Sequence, residues 1–176
     1  MPNLITVFHG SLHKFEKINV TKGNECKHFG KGFYVTSEYQ HAINLVRRNY
    51  AKEKARIAGN NDTRIRMYIY HYSLDTNALP GLSIKKFDCA DMDWLLFLIQ
   101  NRQASHTLHD FDVIIGPDTR TSLRSVMEMA EGKILDDFLL KQLLNFLGTE
   151  SLPQQICFAT QRAADLLIFL KKEKLT

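Results

Sequence analysis

Hydrophobic positions recur along the chain with two periods, one near two residues and one near three and a half. Leu4 to Phe8 is a β-rich run and predicts a strand entering the core. His9-Gly10-Ser11 follows at once, which places a histidine and a flexible glycine at the strand end, where loops carry chemistry. Leu12 to Lys31 has no clear period and reads as loop. Gly32 to Thr36 predicts a short strand, and Ser37-Glu38-Tyr39-Gln40 has the spacing of a capping box. The helix that this opens carries Ala42, Leu45, Val46 and Tyr50 and runs to about Ala58, where Gly59-Asn60-Asn61 predicts the stop.

Arg66 to Leu74 alternates, with Tyr68, Tyr70, Tyr72 and Leu74 on one face and Met67, Ile69 and His71 on the other. The tyrosines are expected to pack a sheet face. Pro80-Gly81 marks a turn. Met92, Leu95, Leu96 and Ile99 predict a helix over Ala90 to Arg102, with Trp94 in the core. Phe111 to Ile115 reads as a buried strand ended by Gly116-Pro117. Helices are predicted at Thr121 to Glu131 and at Ile134 to Leu147, the latter on Leu135, Phe138, Leu139, Gln142, Leu143 and Phe146. Beyond Pro153, Gln155 to Ala159 reads as strand and Arg162 to Lys172 as a final helix. Strands and helices do not alternate as a doubly wound sheet requires, so the fold class is α+β, in one domain over residues 1–176.

Composition narrows the function classes. With 44% hydrophobic and 24% charged residues the chain is an ordinary globular protein, which excludes wholesale disorder. Its longest apolar runs, Trp94 to Ile99 and Leu166 to Leu170, fall far short of the roughly 20 residues of a membrane span. Met1 to His9 lacks a basic segment and a long apolar stretch, so no secretory signal and no membrane partner are expected, and the expected location is cytoplasmic. Cys26, Cys89 and Cys157 are odd in number and widely spaced, which indicates neither a disulfide framework nor a cysteine zinc site. The net charge of +4 is unevenly spread. Seven basic residues lie between Arg47 and Arg66, and six aspartates between Asp88 and Asp118. The basic strip reads as the wet face of a helix; a nucleic-acid partner is not indicated by it alone.

No phosphate-binding loop, dinucleotide fingerprint, zinc-protease helix or nucleophile elbow is present. His106 and His109, beside Asp110 and Asp112, form a metal-like cluster without a closing ligand pattern, so no metal site is expected. Cys157, within Ile156-Cys157-Phe158, reads as a buried inert thiol. What remains is His9-Gly10-Ser11 together with Phe29-Gly30-Lys31-Gly32-Phe33-Tyr34. Alternate glycines let backbone approach a flat ligand, and the aromatic that follows can stack on it.

These two stretches closely resemble the signature of the diphtheria-toxin-like ADP-ribosyltransferases, the class that includes poly(ADP-ribose) polymerases. A third stretch, Gln154 to Phe158, looks like that class's later strand, with Gln155 at the position usually filled by Glu. Asp112 to Pro117, the helix with Trp94 and Asn101-Arg102, and Gln155 to Thr160 are similar to a bacterial branch found in small toxin–antitoxin-like operons. The resemblance implies an ADP-ribosyltransferase fold, in which two small, mainly antiparallel sheets form an NAD cleft flanked by helices. It also implies NAD as co-substrate, a macromolecular acceptor, and an antitoxin protein as a partner.

Carried over by the same resemblance, His9 would hydrogen-bond the adenosine-side ribose and Gly10 backbone would grip the nicotinamide amide. Ser11 would support the ribose region, Tyr34 would stack on the nicotinamide, and Gly30 and Gly32 would leave it room. His41 would be a second polar residue of the nicotinamide pocket. Asn44 and Leu45 stand where the second stacking aromatic is expected. The implied activity is transfer of a single ADP-ribose, with His9, Tyr34 and Gln155 as catalytic residues. A carboxylate can anchor a ribose hydroxyl and offset the forming cation, whereas a neutral amide does only the first. Asp112, Asp118 and Glu150 are the candidates for the missing charge. The alternatives are an NAD- or ADP-ribose-binding pseudoenzyme, an NAD-dependent RNA 2′-phosphate-removing enzyme, and a nucleic-acid-binding module.

Overall fold

The computed structural model describes residues 2–23, 27–57, 65–104, 108–119, 123–148 and 152–176. Cys26, the Gly59-Asn60-Asn61 stop, Arg64, His106, Glu150 and the first residues of the helix expected at Thr121 lie outside them. Strand β1 (Leu4–Ser11) leads through a 3-10 turn (Val20–Lys22) to β2 (Phe33–Val35) and helix α1 (Tyr39–Arg56). Then come β3 (Met67–Asp75), a second 3-10 turn (Thr76–Gly81), β4 (Ile84–Lys86), α2 (Met92–Gln103) and β5 (Val113–Pro117). Helices α3 (Leu123–Ala130) and α4 (Asp137–Leu147), strand β6 (Gln154–Phe158), the short α5 (Gln161–Ala164) and strand β7 (Ile168–Leu175) complete the order.

The strands make two sheets. One has the order β1-β3-β7 and is antiparallel throughout; the other has the order β2-β6-β5-β4, antiparallel except for the parallel pair β4 and β5. Strand β3 is central in the first sheet and covered on both faces. Tyr68, Tyr70, Tyr72 and Leu74 pack into the core between the sheets, and Ile69 packs under α1 with Ala42, Ile43 and Val46. The sheets are fastened where Phe8 N–H donates to the Thr36 carbonyl at 2.8 Å and Thr36 N–H donates to the Phe8 carbonyl at 3.0 Å. On the outer side of the second sheet, α2 turns Trp94, Leu95, Leu98 and Ile99 inward against α3 and α4. Asp91 starts α2 by accepting from Trp94 N–H at 2.8 Å, and Asp136 starts α4 by accepting from Leu139 N–H at 2.8 Å. The architecture is therefore α+β, with two mainly antiparallel sheets flanked by helices.

Five local expectations are corrected. The first strand does not stop at Phe8: His9-Gly10-Ser11 forms its paired C-terminal end rather than a loop, because β3 is long enough to pair with it, with His9 facing Tyr70, Gly10 facing Ile69 and Ser11 facing Tyr68. Gly116 and Pro117 likewise belong to β5, paired with Gln155 and Gln154. No capping box forms at Ser37; α1 starts one residue after Glu38, and Thr36 Oγ1 accepts the Glu38 N–H at 3.1 Å instead. In α4 the inward stripe is Leu140, Leu143 and Leu147, leaving Phe138 at 70% and Phe146 at 54% exposure. The final helix is mostly strand: after α5 the chain runs as β7 along β3. Leu and Lys favour helix modestly, but the free edge of β3 offers a full ladder of backbone hydrogen bonds, and tertiary pairing wins.

Candidate active site

The joint between the sheets builds the site. Because Phe8 is bridged to Thr36, the next residue of β1 falls beside β2, and His9 Nδ1 lies 2.7 Å from the Tyr34 carbonyl. A carbonyl only accepts, so Nδ1 carries the proton and Nε2 keeps its lone pair. The ring stacks on Phe33 with centroids 4.3 Å apart. Burial pulls the imidazole pKa down to about 4; the Tyr34 bond opposes this and the nearby Lys27 charge assists it. His9 at neutral pH is a neutral side chain with one acceptor nitrogen.

Tyr34 is held by its own loop. Its hydroxyl donates to the Gly30 carbonyl at 2.5 Å and accepts from Phe29 N–H at 3.1 Å. Gly30 closes that turn with φ +79°, a left-handed conformation that suits glycine. Burial raises the Tyr34 hydroxyl well above its usual pKa, so it stays protonated. Lys27 Nζ sits 4.7 Å from the Tyr34 ring centroid. Burial lowers the Lys27 pKa from its usual value.

Opposite stand groups from β5, β6 and α1. Gln155 is buried on β6 with Nε2 3.3 Å from His28 Nδ1. Asp118 directly follows β5 and is fixed from both sides: its N–H donates to the Pro153 carbonyl at 2.7 Å, and Trp94 Nε1 donates to the adjacent Pro117 carbonyl at 3.1 Å. The Asp118 carboxylate has Oδ1 3.0 Å from His28 Nδ1 and Oδ2 3.0 Å from His41 Nε2. The first contact takes the Nδ1 proton. The second is close but poorly aligned, leaving His41 Nε2 without a formed hydrogen bond among the described residues. Burial works to raise the Asp118 pKa, but the close imidazoles of His28 and His41 outweigh it and hold the carboxyl well below the usual range.

A cavity of about 260 Å³ is lined by His9, Gly10, His28, Tyr34, Leu45, Arg102, Asp118 and Gln155, among others. Against it lies a second cavity of about 480 Å³, lined by Ser11, His13, Lys14, Lys17, Lys22 and Gly32. His9 and Lys27 belong to both walls. The second wall holds four lysines and, among the described residues, no carboxylate. Together the two spaces offer an aromatic face from Tyr34 on one side and lysine ammonium groups on the other.

The residues expected from the sequence divide as follows. His9, Gly10, Tyr34 and Gln155 share the smaller cavity, and Ser11 and Gly32 line the larger. His41 stands behind the wall and reaches the cavity through Asp118. Gly10 and Gly32 have packing reasons of their own. A Cβ on Gly10 would come within 2.8 Å of Val46 Cβ, and one on Gly32 within 2.5 Å of Cys157 Sγ. Leu45 provides an aliphatic wall where a second aromatic is expected, while Asn44 is exposed. Of the three candidate carboxylates, Asp118 is at the site and Glu150 lies outside the described residues. Asp112 is bound elsewhere, by Arg162, by Thr160 Oγ1 at 2.6 Å and by Ser83 N–H at 2.9 Å.

Lys27 and His28 line the cavity without being singled out in the sequence, and Arg102, noted there only within the helix that carries the resemblance, lines it too. His28 directly precedes Phe29-Gly30-Lys31-Gly32, and that adjacency is the available signal. His109 Nε2 meets the Phe29 carbonyl at 2.9 Å, and no metal-holding cluster occurs among the described residues. Cys157 is buried, which pushes its thiol up to about 12 and leaves it inert at neutral pH. Arg47, Arg48, Lys52, Lys54 and Arg56 lie on the exposed face of α1. No helix among the described residues is long and apolar enough to cross a membrane.

An α+β chain with a two-part cleft at the joint of its sheets is thus defined. Residues 5–169 match the family described as "Protein of unknown function (DUF3990)", and the chain belongs to that family. No curated protein and no solved structure matches it.

Proposed function

We propose that this chain is an NAD-dependent mono-ADP-ribosyltransferase acting on a macromolecular acceptor. Convergence on one cavity of His9, Tyr34 and Gln155, from three stretches remote in sequence, supports this reading. The residues suit the co-substrate. A neutral His9 with a free acceptor nitrogen takes a ribose hydroxyl, and the Tyr34 ring offers a face for nicotinamide. The four-lysine cavity beyond His9 suits a diphosphate. A ring stacked on Tyr34 displaces the Lys27 ammonium, which then lies toward the phosphates.

In the reaction the bond between the nicotinamide nitrogen and ribose C1′ breaks, and its electron pair leaves with neutral nicotinamide. The acceptor's nucleophile bonds to C1′ and gives up a proton to solvent. Between these events C1′ carries positive charge, so the protein must hold the sugar still and favour that charge. Within a toxin–antitoxin pair, the fitting role is a cytoplasmic toxin neutralised by an antitoxin protein.

Nicotinamide release by the purified chain, with and without cell lysate, tests the reading beside Tyr34→Ala. Release that requires Tyr34 and labels a lysate component is the expected result. Dinucleotide binding without release would instead select the NAD-binding pseudoenzyme, and no binding would remove both.

A further inference from the structure

We propose that Asp118 is the acidic catalytic residue of this site, supplying from the end of β5 the charge that Gln155 lacks on β6. The inference rests on the transferase reading above and names the group that would face the cationic sugar carbon. Asp118 is the only acid among the described residues that line the smaller cavity. Its place is fixed through the fold: Gly116 pairs with Gln155 across β5 and β6, so Asp118 stands two residues beyond that pair. His28 Nδ1 lies between the two side chains, giving its proton to the Asp118 carboxylate at 3.0 Å and standing 3.3 Å from Gln155 Nε2.

The arrangement suits a working carboxylate better than a structural one. Asp112 shows what a structural carboxylate is in this fold: Arg162, Thr160 and Ser83 occupy its oxygens, and it lies outside the cavity wall. Among the described residues, the Asp118 side chain is held by two imidazoles, one of them poorly aligned, and its oxygens keep lone pairs for a ligand on the cavity wall. The imidazoles keep Asp118 ionised while it stands on the cavity wall, and charged groups so placed in a cleft concentrate at functional sites. Gln155 then orients a ribose hydroxyl while Asp118 offsets the charge at C1′ without bonding to it. His28 and His41 are positioning residues.

The test compares nicotinamide release and dinucleotide binding in the full chain, Asp118→Asn, and Asp118→Asn combined with Gln155→Glu. Asp118→Asn should lower kcat on the order of 100-fold while binding stays within about threefold. Gln155→Glu in that background should restore at least about tenfold, because it returns a charge to the adjoining strand. Turnover by Asp118→Asn equal to the parent overturns the proposal. So does an inactive Asp118→Asn that Gln155→Glu leaves inactive, which would make the carboxylate structural. A parent chain that binds dinucleotide without any release, or binds none, removes the transferase reading itself and this inference with it.

Discussion

The Nδ1 proton of His9 is held by the main-chain carbonyl of Tyr34 at 2.7 Å, across the joint between the two sheets. One contact therefore fixes the tautomer of one site residue and the strand position of another. Since burial sets the His9 pKa near 4, binding of the dinucleotide should be independent of His9 protonation from about pH 6 upward. It should fail as pH falls through about 4, where Nε2 becomes a donor. Stability follows the same sign: an unfolded His takes up its proton near 6.5 and the folded one does not. Acidification from about 6.5 to 4 should cost on the order of 3 kcal/mol at most. Chemical denaturation at several pH values, with His9→Phe as reference, checks this; an unchanged slope in the variant would refute it.

Asp112 makes the complementary case. Asp112→Asn should lower Tm by roughly 5 °C, because it weakens contacts to Arg162, Thr160 and Ser83 at once. Nicotinamide release per folded molecule should stay unchanged. The Arg162 contact leads in lowering the Asp112 pKa, so its stabilisation is present above the unfolded value near 4 and lost as pH falls below it. Thermal melts at pH 7 and pH 3 should therefore show a smaller gap between parent and variant in acid.

Gly10 separates packing from ligand contact. Gly10→Ala places a methyl group 2.9 Å from the Ala42 carbonyl, so α1 must move away from β1. A loss of about 1–3 kcal/mol is expected. Gly81→Ala, with nothing within 4 Å of the new atom, serves as the neutral control. Equal stability of the two variants would contradict the close helix–strand contact.

The lysine-lined cavity predicts salt dependence. If it holds the diphosphate, dinucleotide affinity should fall as ionic strength rises, and Lys17→Ala with Lys22→Ala should flatten the response. Isothermal titration at two salt concentrations decides it, and identical slopes for parent and variant would exclude these lysines.

Periodicity located most of the fold. Met67–Asp75, Met92–Gln103 and Gln154–Phe158 lie within two residues of their expected places at both ends, because each has a clear repeat or a bounding Gly or Pro. Strand β7 was not legible: Leu166 to Leu170 is continuously apolar, Lys171 to Lys174 is charged, and neither alternates. Only the open edge of β3 decides its conformation. The site divides in the same way. His9, Tyr34 and Gln155 could be read because each sits in a recognisable local pattern. The contact between His28 and Asp118 could not, since the residues are ninety positions apart in sequence and each alone suits an ordinary loop or turn.

Strand β3 ends at Asp75 and its neighbour β7 begins at Ile168, so nearly a hundred residues intervene before the first sheet gains its third strand. During synthesis, His9 and β3 exist long before that edge is covered, and β6, with Gln155, also comes late. Pairings of such long sequence separation form slowly. A nascent chain thus carries half of the cleft without the other half, and any activity of the cleft waits for the last segments to dock.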